Sequence, residues 1–320
     1  MSHPHRHNHH QNHQHSHPTG HHHADDTRIT ERNLLASTLL NLSITFVEVI
    51  GGLVSNSLAL LSDALHNLGD TVAIFIAYVA GLISKKEHTR QKTFGYKRVE
   101  ILAALFNAVI LAVIIIYLFI EAWHRLSRPE PIKGLLMLIV AVVGFLANLL
   151  SVFLLKKLSG KSINIRAAYL HLIGDTVSSA IVIVTAVLIY FFKIYWIDPL
   201  VTFLLGIYLL KETYSILREA VDILMQATPH GLDLNEVKHT LESIRGIDNI
   251  HHVHAWNLSD QDIHFECHVD LVSDIRISET ESIKESIHEL LLTKFNITHV
   301  TIQYEYNCCD DKNMIHSHNK

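Results

Sequence analysis

One spacing, His-x-x-x-Asp, occurs twice in this chain: His66 with Asp70 in SLALLSDALHNLGDTVAIFIAYVAG, and His171 with Asp175 in RAAYLHLIGDTVSSAIVIVTAVLIYFF. On a helix, an i, i+4 spacing puts both side chains of a pair on one face. Two such faces turned toward each other would offer two imidazoles and two carboxylates, a nitrogen and oxygen set suited to tetrahedral Zn²⁺. Both segments are otherwise apolar, and ionisable residues at membrane depth are costly, so they mark a functional site by default. A lone pair of this kind is weak evidence, because an intrahelical histidine is usually a satisfied hydrogen-bonder. Two copies in two apolar spans are much harder to explain structurally. Asp63, three residues before His66, shares its face and is expected either to orient the imidazole as an acceptor or to line a water-filled access path.

The elements that must position these pairs read as membrane spans. The chain has 320 residues, 49% of them hydrophobic, and the apolar ones are clustered. Six stretches, near 34–54, 58–83, 99–122, 133–155, 165–192 and 196–217, reach the roughly 20 residues needed to cross a bilayer. No removable signal peptide is expected, because the first 33 residues are polar and His-rich. The net charge of −5 hides an asymmetry. Lys85, Lys86, Arg90, Lys92, Lys97 and Arg98 crowd the connection between the second and third spans, and Lys156, Lys157, Lys161 and Arg166 the one between the fourth and fifth. The connection after the first span, Ser55-Asn56-Ser57, has no basic residue and the one after the fifth only Lys193, although Arg125, Arg128 and Lys133 follow the third. The bias puts the two basic loops and both termini in the cytoplasm. The cysteines, Cys267, Cys308 and Cys309, then face a reducing compartment, and no disulfide framework is expected. Cys308 and Cys309 read equally as thiolate ligands or as surface thiols.

Four segments follow: a disordered His-rich cytoplasmic tail at 1–28, a six-helix membrane domain at 29–218, a cytoplasmic metal-binding domain at 219–308, and a flexible tail at 309–320. Eleven histidines lie between His3 and His23, irregularly spaced among Asn, Gln, Ser and Pro. That irregularity argues against an expression tag and for loose metal capture. In the soluble region, Asp233 to Arg245 reads as a helix capped by Asp233 and stopped by Gly246. Residues 250–258 and 262–272 read as strands around a Ser259-Asp260-Gln261 turn, 278–294 as a helix with Ser278 and Glu281 in capping-box spacing, and 298–306 as a last strand. The order helix, strand, strand, helix, strand suggests a small α+β sandwich of ferredoxin-like type. In its second strand His264, Glu266, His268 and Asp270 alternate with Ile263, Phe265, Cys267, Val269 and Leu271, so the polar set shares one sheet face. His268, His299 and Glu305 on such a face, joined by His251, make a second candidate metal site; a polar face whose histidines bind nothing is the plainer alternative. His254 and Trp256 read as packing residues, and His88 is the only histidine available for a site in the basic loop.

With these pieces in view, the chain resembles the cation diffusion facilitator family of zinc and divalent-cation exporters over essentially everything after residue 28. The resemblance rests on SNSLALLSDALHNLGD, on FGYKRVEILAALFNA leading into the third span, and on AAYLHLIGDTVSS. It implies six helices followed by a cytoplasmic metal-binding domain, a homodimer, and His66, Asp70, His171 and Asp175 as the transport site. It matches His251, His268, His299 and Glu305 to cytoplasmic ligand positions, sometimes completed by tail cysteines. Relatives with Asp at the first position accept a wider set of metals, so the present set looks like the zinc-preferring type, with Cd²⁺ and Co²⁺ as further candidates. The expected partners are Zn²⁺ and H⁺ as substrates, the lipid bilayer and a second copy of the chain, with no nucleic acid. The short fourth loop, without a His-rich insertion, suggests a bacterial inner (plasma) membrane.

Ligand chemistry itself suggests the coupling. Zn²⁺ needs neutral imidazole and ionised carboxylate, so metal entry displaces protons and proton entry weakens metal binding. An enzyme is not expected. The nearest approach to a metalloprotease His-Glu-x-x-His string, at His288-Glu289, lacks the second histidine. A di-histidine haem bundle would not want an aspartate one turn from each ligand. A membrane-anchored zinc sensor or storage protein remains the alternative, and it would need no paired ligands inside the membrane.

Overall fold

The computed structural model describes residues 41–156, 163–259, 262–307 and 313–314. The His-rich tract, residues 34–40 of the first expected span, Lys157 and Lys161, Asp260 and Gln261 of the turn, Cys308, Cys309 and the tail apart from 313–314 lie outside them. Among the described residues six apolar helices come first: α1 Asn41–Ser55, α2 Leu58–Ser84, α3 Val99–Ser127, α4 Gly134–Lys156, α5 Ile163–Phe192 and α6 Ile197–Leu224. Helices α2 to α6 are long and apolar enough to cross a membrane; the described part of α1 is shorter. Their outer faces expose Phe75, Tyr117, Trp123 and Phe191, large apolar groups that suit lipid rather than water.

Inside the bundle, buried small and polar residues such as Ala59, Ser62, Asn67 and Asn148 sit among Leu60, Met137 and Ile189. Helix α2 packs against α3, α5 and α6, and α4 packs against α5. Gly69, one residue before Asp70, lets α2 approach α3: a Cβ there would stand 2.5 Å from Leu111 Cδ2. The turn into α2 is tight, with Asn56 at φ 61°, and Ser57 caps the helix by accepting from the Leu60 N–H at 3.1 Å. Asp198, at the start of α6, closes the same end, since its carboxylate accepts from Ser57 Oγ and from the Leu58 and Ala59 N–H groups. The N-terminus of α2 is thereby tied to α6.

The C-terminal region contains α7 Leu234–Glu242, β1 Ile247–Asn257, β2 Ile263–Leu271, a 3₁₀ turn Ile277–Glu279, α8 Glu281–Phe295 and β3 His299–Glu305. The sheet order is β1-β2-β3, with β1 antiparallel to β2 and β2 parallel to β3 across the α8 crossover. Asp233 caps α7 as expected, accepting from the Asn235 N–H at 2.8 Å. The helix expected from 278 differs. Glu279 Oε2 accepts from the Arg276 N–H at 3.0 Å, which holds a separate 3₁₀ turn ahead of α8, and Ser278 and Glu281 form no box. Ile250, Phe265, Cys267, Val269, Ile287 and Leu291 make the core between sheet and helices. Burial pushes the Cys267 thiol up to about 12, so it stays a neutral core residue.

The two regions touch through the basic loop after α2. Lys97 Nζ lies 2.6 Å from Asp262 Oδ2, and Phe94 meets the His264 ring edge-on with centroids 5.4 Å apart. The Lys97 ammonium holds the Asp262 carboxyl below its ordinary value.

Candidate metal centres

Helices α2 and α5 bring the two His-x-x-x-Asp pairs together inside the bundle. Each imidazole faces both carboxylates. His66 Nε2 is 3.5 Å from Asp175 Oδ1 and 3.6 Å from Asp70 Oδ2. His171 Nε2 is 3.1 Å from Asp70 Oδ2 and 3.7 Å from Asp175 Oδ2. One ligand atom from each of the four lies within 4.8 Å of all the others. Going round the ring the groups alternate His, Asp, His, Asp, so nitrogen and oxygen lone pairs converge on one point. A tetrahedral centre with bonds of about 2.0–2.1 Å has edges of roughly 3.3–3.4 Å, in the middle of the four measured separations. The ring is sealed on one side and open on the other: Asp175 is 2% exposed and His171 is 44% exposed.

Hydrogen bonds around the ring fix α2 against α5. Asp63 does not bond to the His66 imidazole. It accepts instead from Ser178 Oγ at 2.5 Å and Ser179 Oγ at 3.0 Å, and Ser179 also accepts from Asn148 Nδ2 of α4. It stands beside a small cleft with His66, Gly174, Ser178 and Tyr208. Asp63 is therefore a strut between α2 and α5. Sequence reasoning passed over Ser178, Ser179, Asn148, Asp198 and Glu48. The last two carried a signal, being acidic residues inside or at the edge of apolar spans. The serines and Asn148 carried none, since a hydroxyl or amide in a span is ordinary.

In the C-terminal region three of the four expected residues meet. His268 Nδ1 lies 2.8 Å from Glu305 Oε1, and His251 Nε2 lies 3.3 Å from Glu305 Oε2. One ligand atom from each again falls within 4.8 Å of the others. Strand pairing causes this: His251 pairs with His268, and Asp270 with Glu305. A bulge between His251 and His254, with His252 at φ 50°, sets the first register. His251 is 2% exposed and neither ring nitrogen makes a hydrogen bond among the described residues, an arrangement that suits a ligand more than a structural histidine. His299 stands apart from this group. It shares a sheet face with Glu305, but six residues of extended strand separate them by about 20 Å. It pairs instead with His264, ring centroids 4.4 Å apart, with Trp256 stacked on His264. His254 is exposed rather than packed. His88 belongs to no metal-like group among the described residues; with Lys97 and Asp262 it lines an open cleft beside the basic loop.

Comparison with known proteins agrees with this architecture. Residues 34–225 match a family model described as the cation efflux transmembrane domain, and residues 229–307 match one described as the cytoplasmic domain of cation efflux proteins. A Bacillus subtilis protein named as a cadmium, cobalt and zinc/H(+)-K(+) antiporter is 37% identical over 300 residues, covering 92% of this chain and 95% of its own. The metal cation efflux system protein CzcD of Cupriavidus metallidurans is 37% identical over 291 residues, covering 91% of each chain. The zinc transporter ZitB of Escherichia coli is 36% identical over 280 residues, covering 87% of this chain and 88% of its own. On these matches, which span the membrane helices and the C-terminal region alike, the chain belongs to the cation efflux, or cation diffusion facilitator, family of membrane transporters.

Proposed function

We propose that this protein exports divalent cations, Zn²⁺ foremost, from the cytoplasm in exchange for protons, with His66, Asp70, His171 and Asp175 as the transport site. The observation that carries this is the alternating ring. The same four groups that would hold a metal stand at distances where a protonated imidazole pairs with each carboxylate. Protons and metal thus compete for one set of lone pairs, which is the chemical basis of antiport. The name of the Bacillus relative supports cadmium and cobalt as additional cargo, and testing K⁺ beside H⁺.

In this reading the apolar stretch near 34–54 counts as a sixth span, and both termini lie in the cytoplasm. The contact of Lys97 with Asp262 supports that orientation, since it puts the basic loop and the C-terminal domain on one side of the bilayer. A second metal, held by His251, His268 and Glu305, regulates a homodimer of the inner membrane. Residues 1–28 feed the carrier as a His-rich tail, residues 29–218 form the membrane domain, 219–308 the ferredoxin-like cytoplasmic domain, and 309–320 the remaining C-terminal segment. The sensor or storage alternative leaves the ring inside the bundle without a task.

Inside-out vesicles with an imposed proton gradient test the proposal through uptake of radioactive zinc. Wild type should accumulate zinc, Asp175→Ala should not, and competition with Cd²⁺, Co²⁺ or K⁺ should rank the ions. No uptake by wild type, or undiminished uptake by Asp175→Ala, would overturn it.

A further inference from the structure

Glu48 sits in the middle of α1, an otherwise apolar helix, and is 1% exposed. Its Oε2 accepts one hydrogen bond, from Asn67 Nδ2 at 3.2 Å. Its Oε1 is buried with no hydrogen-bond partner among the described residues and lies against the bare backbone of Gly144 on α4, where any Cβ would overlap it. The charged groups that act on it among the described residues are two more acids, Asp63 of α2 and Asp175 of α5; α4 presents Gly144. Asp63 has two hydroxyl donors to solvate its charge. Glu48 has a single neutral amide. A buried carboxylate with one lone-pair site satisfied and only like charges around it is far costlier than the neutral acid.

The partner of Glu48 links it to the ring. Asp63, His66, Asn67 and Asp70 recur at i, i+3, i+4 and i+7, one continuous stripe of α2. Glu48 therefore rests on the same stripe as two of the proposed ligands without being a ligand itself.

Building on the exchange reading above, we propose that Glu48 is a proton-binding site of the carrier, separate from the metal ligands. It is loaded when the ring holds no metal and unloaded when a divalent cation enters. The step is a simple dissociation: the carboxyl O–H bond breaks, the electron pair stays on Glu48, and the proton passes to water. What drives it is charge. A divalent cation brings two positive charges to the ring, and wherever fewer than two imidazole protons leave in exchange, the field at Glu48 becomes more positive and favours its carboxylate. Glu48 then balances charge that the four ligands leave uncompensated.

Two measurements on the purified full-length protein test this. Proton release on zinc addition, read with an indicator in weak buffer and normalised per bound zinc, should fall by about one proton in Glu48→Gln, a variant that keeps the shape of the neutral acid. Protons from the cytoplasmic site are common to both proteins and cancel in the difference. Infrared spectra should show a protonated-carboxyl band in the metal-free wild type that fades on zinc addition, is missing in Glu48→Gln and returns, shifted, in Glu48→Asp. Glu48→Asp keeps an acid at the site, so its shifted band assigns the group even if Glu48→Gln impairs folding. Equal proton counts, or a band that survives in Glu48→Gln, would overturn the inference while leaving zinc/proton exchange intact. Failure of the wild type to take up zinc in vesicles would instead overturn the exchange itself.

Discussion

Replacing Asp198 by alanine should cost this protein more stability than a change at almost any lipid-facing position. The carboxylate is 0% exposed and accepts three hydrogen bonds: Ser57 Oγ at 2.6 Å, the Leu58 N–H at 2.7 Å and the Ala59 N–H at 3.3 Å. Alanine leaves all three donors buried and unpaired, at roughly 1–3 kcal/mol each. It also removes a negative charge from a helix N-terminus, worth about 0.3–2 kcal/mol. These terms overlap, because the same N–H groups generate both, so the expected cost is about 3–6 kcal/mol. Asp198→Asn keeps one acceptor oxygen and the side-chain shape, and should cost about 1–2 kcal/mol. Reversible unfolding in mixed micelles measures the difference directly. The damage should reach the ring as well: His66 lies about two and a half turns below Ser57, so a frayed first turn lets it drift. Zinc affinity should therefore fall in the order wild type, Asp198→Asn, Asp198→Ala. If Asp198→Ala unfolds within about 1 kcal/mol of wild type, the carboxylate does not hold this helix end.

Three further outcomes are expected. In a His268→Ala background that removes the cytoplasmic cluster, Asp175→Asn should weaken zinc binding on the order of 100-fold, since one of four ligands carries about 3 kcal/mol of a total near 10–16 kcal/mol; competition with a chelator measures it. Asp262→Asn should release the C-terminal domain from the basic loop, seen as a longer spin-label distance between Phe94→Cys and Tyr306→Cys. Because Lys97 holds the Asp262 carboxyl below its ordinary value, the wild-type contact persists above the usual carboxylate range and is lost as pH falls through the depressed value. It is half-exposed, worth at most about 1 kcal/mol, and should loosen in salt. Burial, with the neighbouring His299, holds His264 below the ordinary imidazole value of 6.5, so the unfolded chain binds the extra proton first. Domain stability should then be full above that value and decline as pH falls through it, and His264→Phe should flatten the decline in a pH series of thermal unfolding curves.

The ring and the cytoplasmic cluster differ in how they could be read from the chain. His66, Asp70, His171 and Asp175 were legible because helical spacing is rigid: four residues apart means one face, whatever the rest of the protein does. The cytoplasmic group was legible only in part. Period two correctly assigned His299 and Glu305 to one sheet face, but a face is long, and His299 ended beside His264. The bulge that seats His251 opposite His268 depends on His252 adopting a left-handed φ, which no local pattern announces. The separate turn before α8 was hidden for a similar reason, since Glu279 bonds back to Arg276 in competition with the expected capping box.

The sequence by itself determined the chemistry on offer: apolar spans long enough for a bilayer, and imidazole and carboxylate on one face of two of them. These follow from residue type and helical period, which are local. Only the tertiary structure decided how the faces meet. Helix α5 meets α2 so that His66 faces Asp175 and Asp70 faces His171, and a ring of alternating charge results instead of two like-charged edges. It likewise decided which buried acids are held by donors, as Asp63 and Asp198 are, and which keep an oxygen without a donor among the described residues, as Glu48 does. Those outcomes depend on partners more than a hundred residues away for Asp63 and Asp198, and on the missing Cβ of Gly144 for Glu48. Such contacts exist only once the helices have packed.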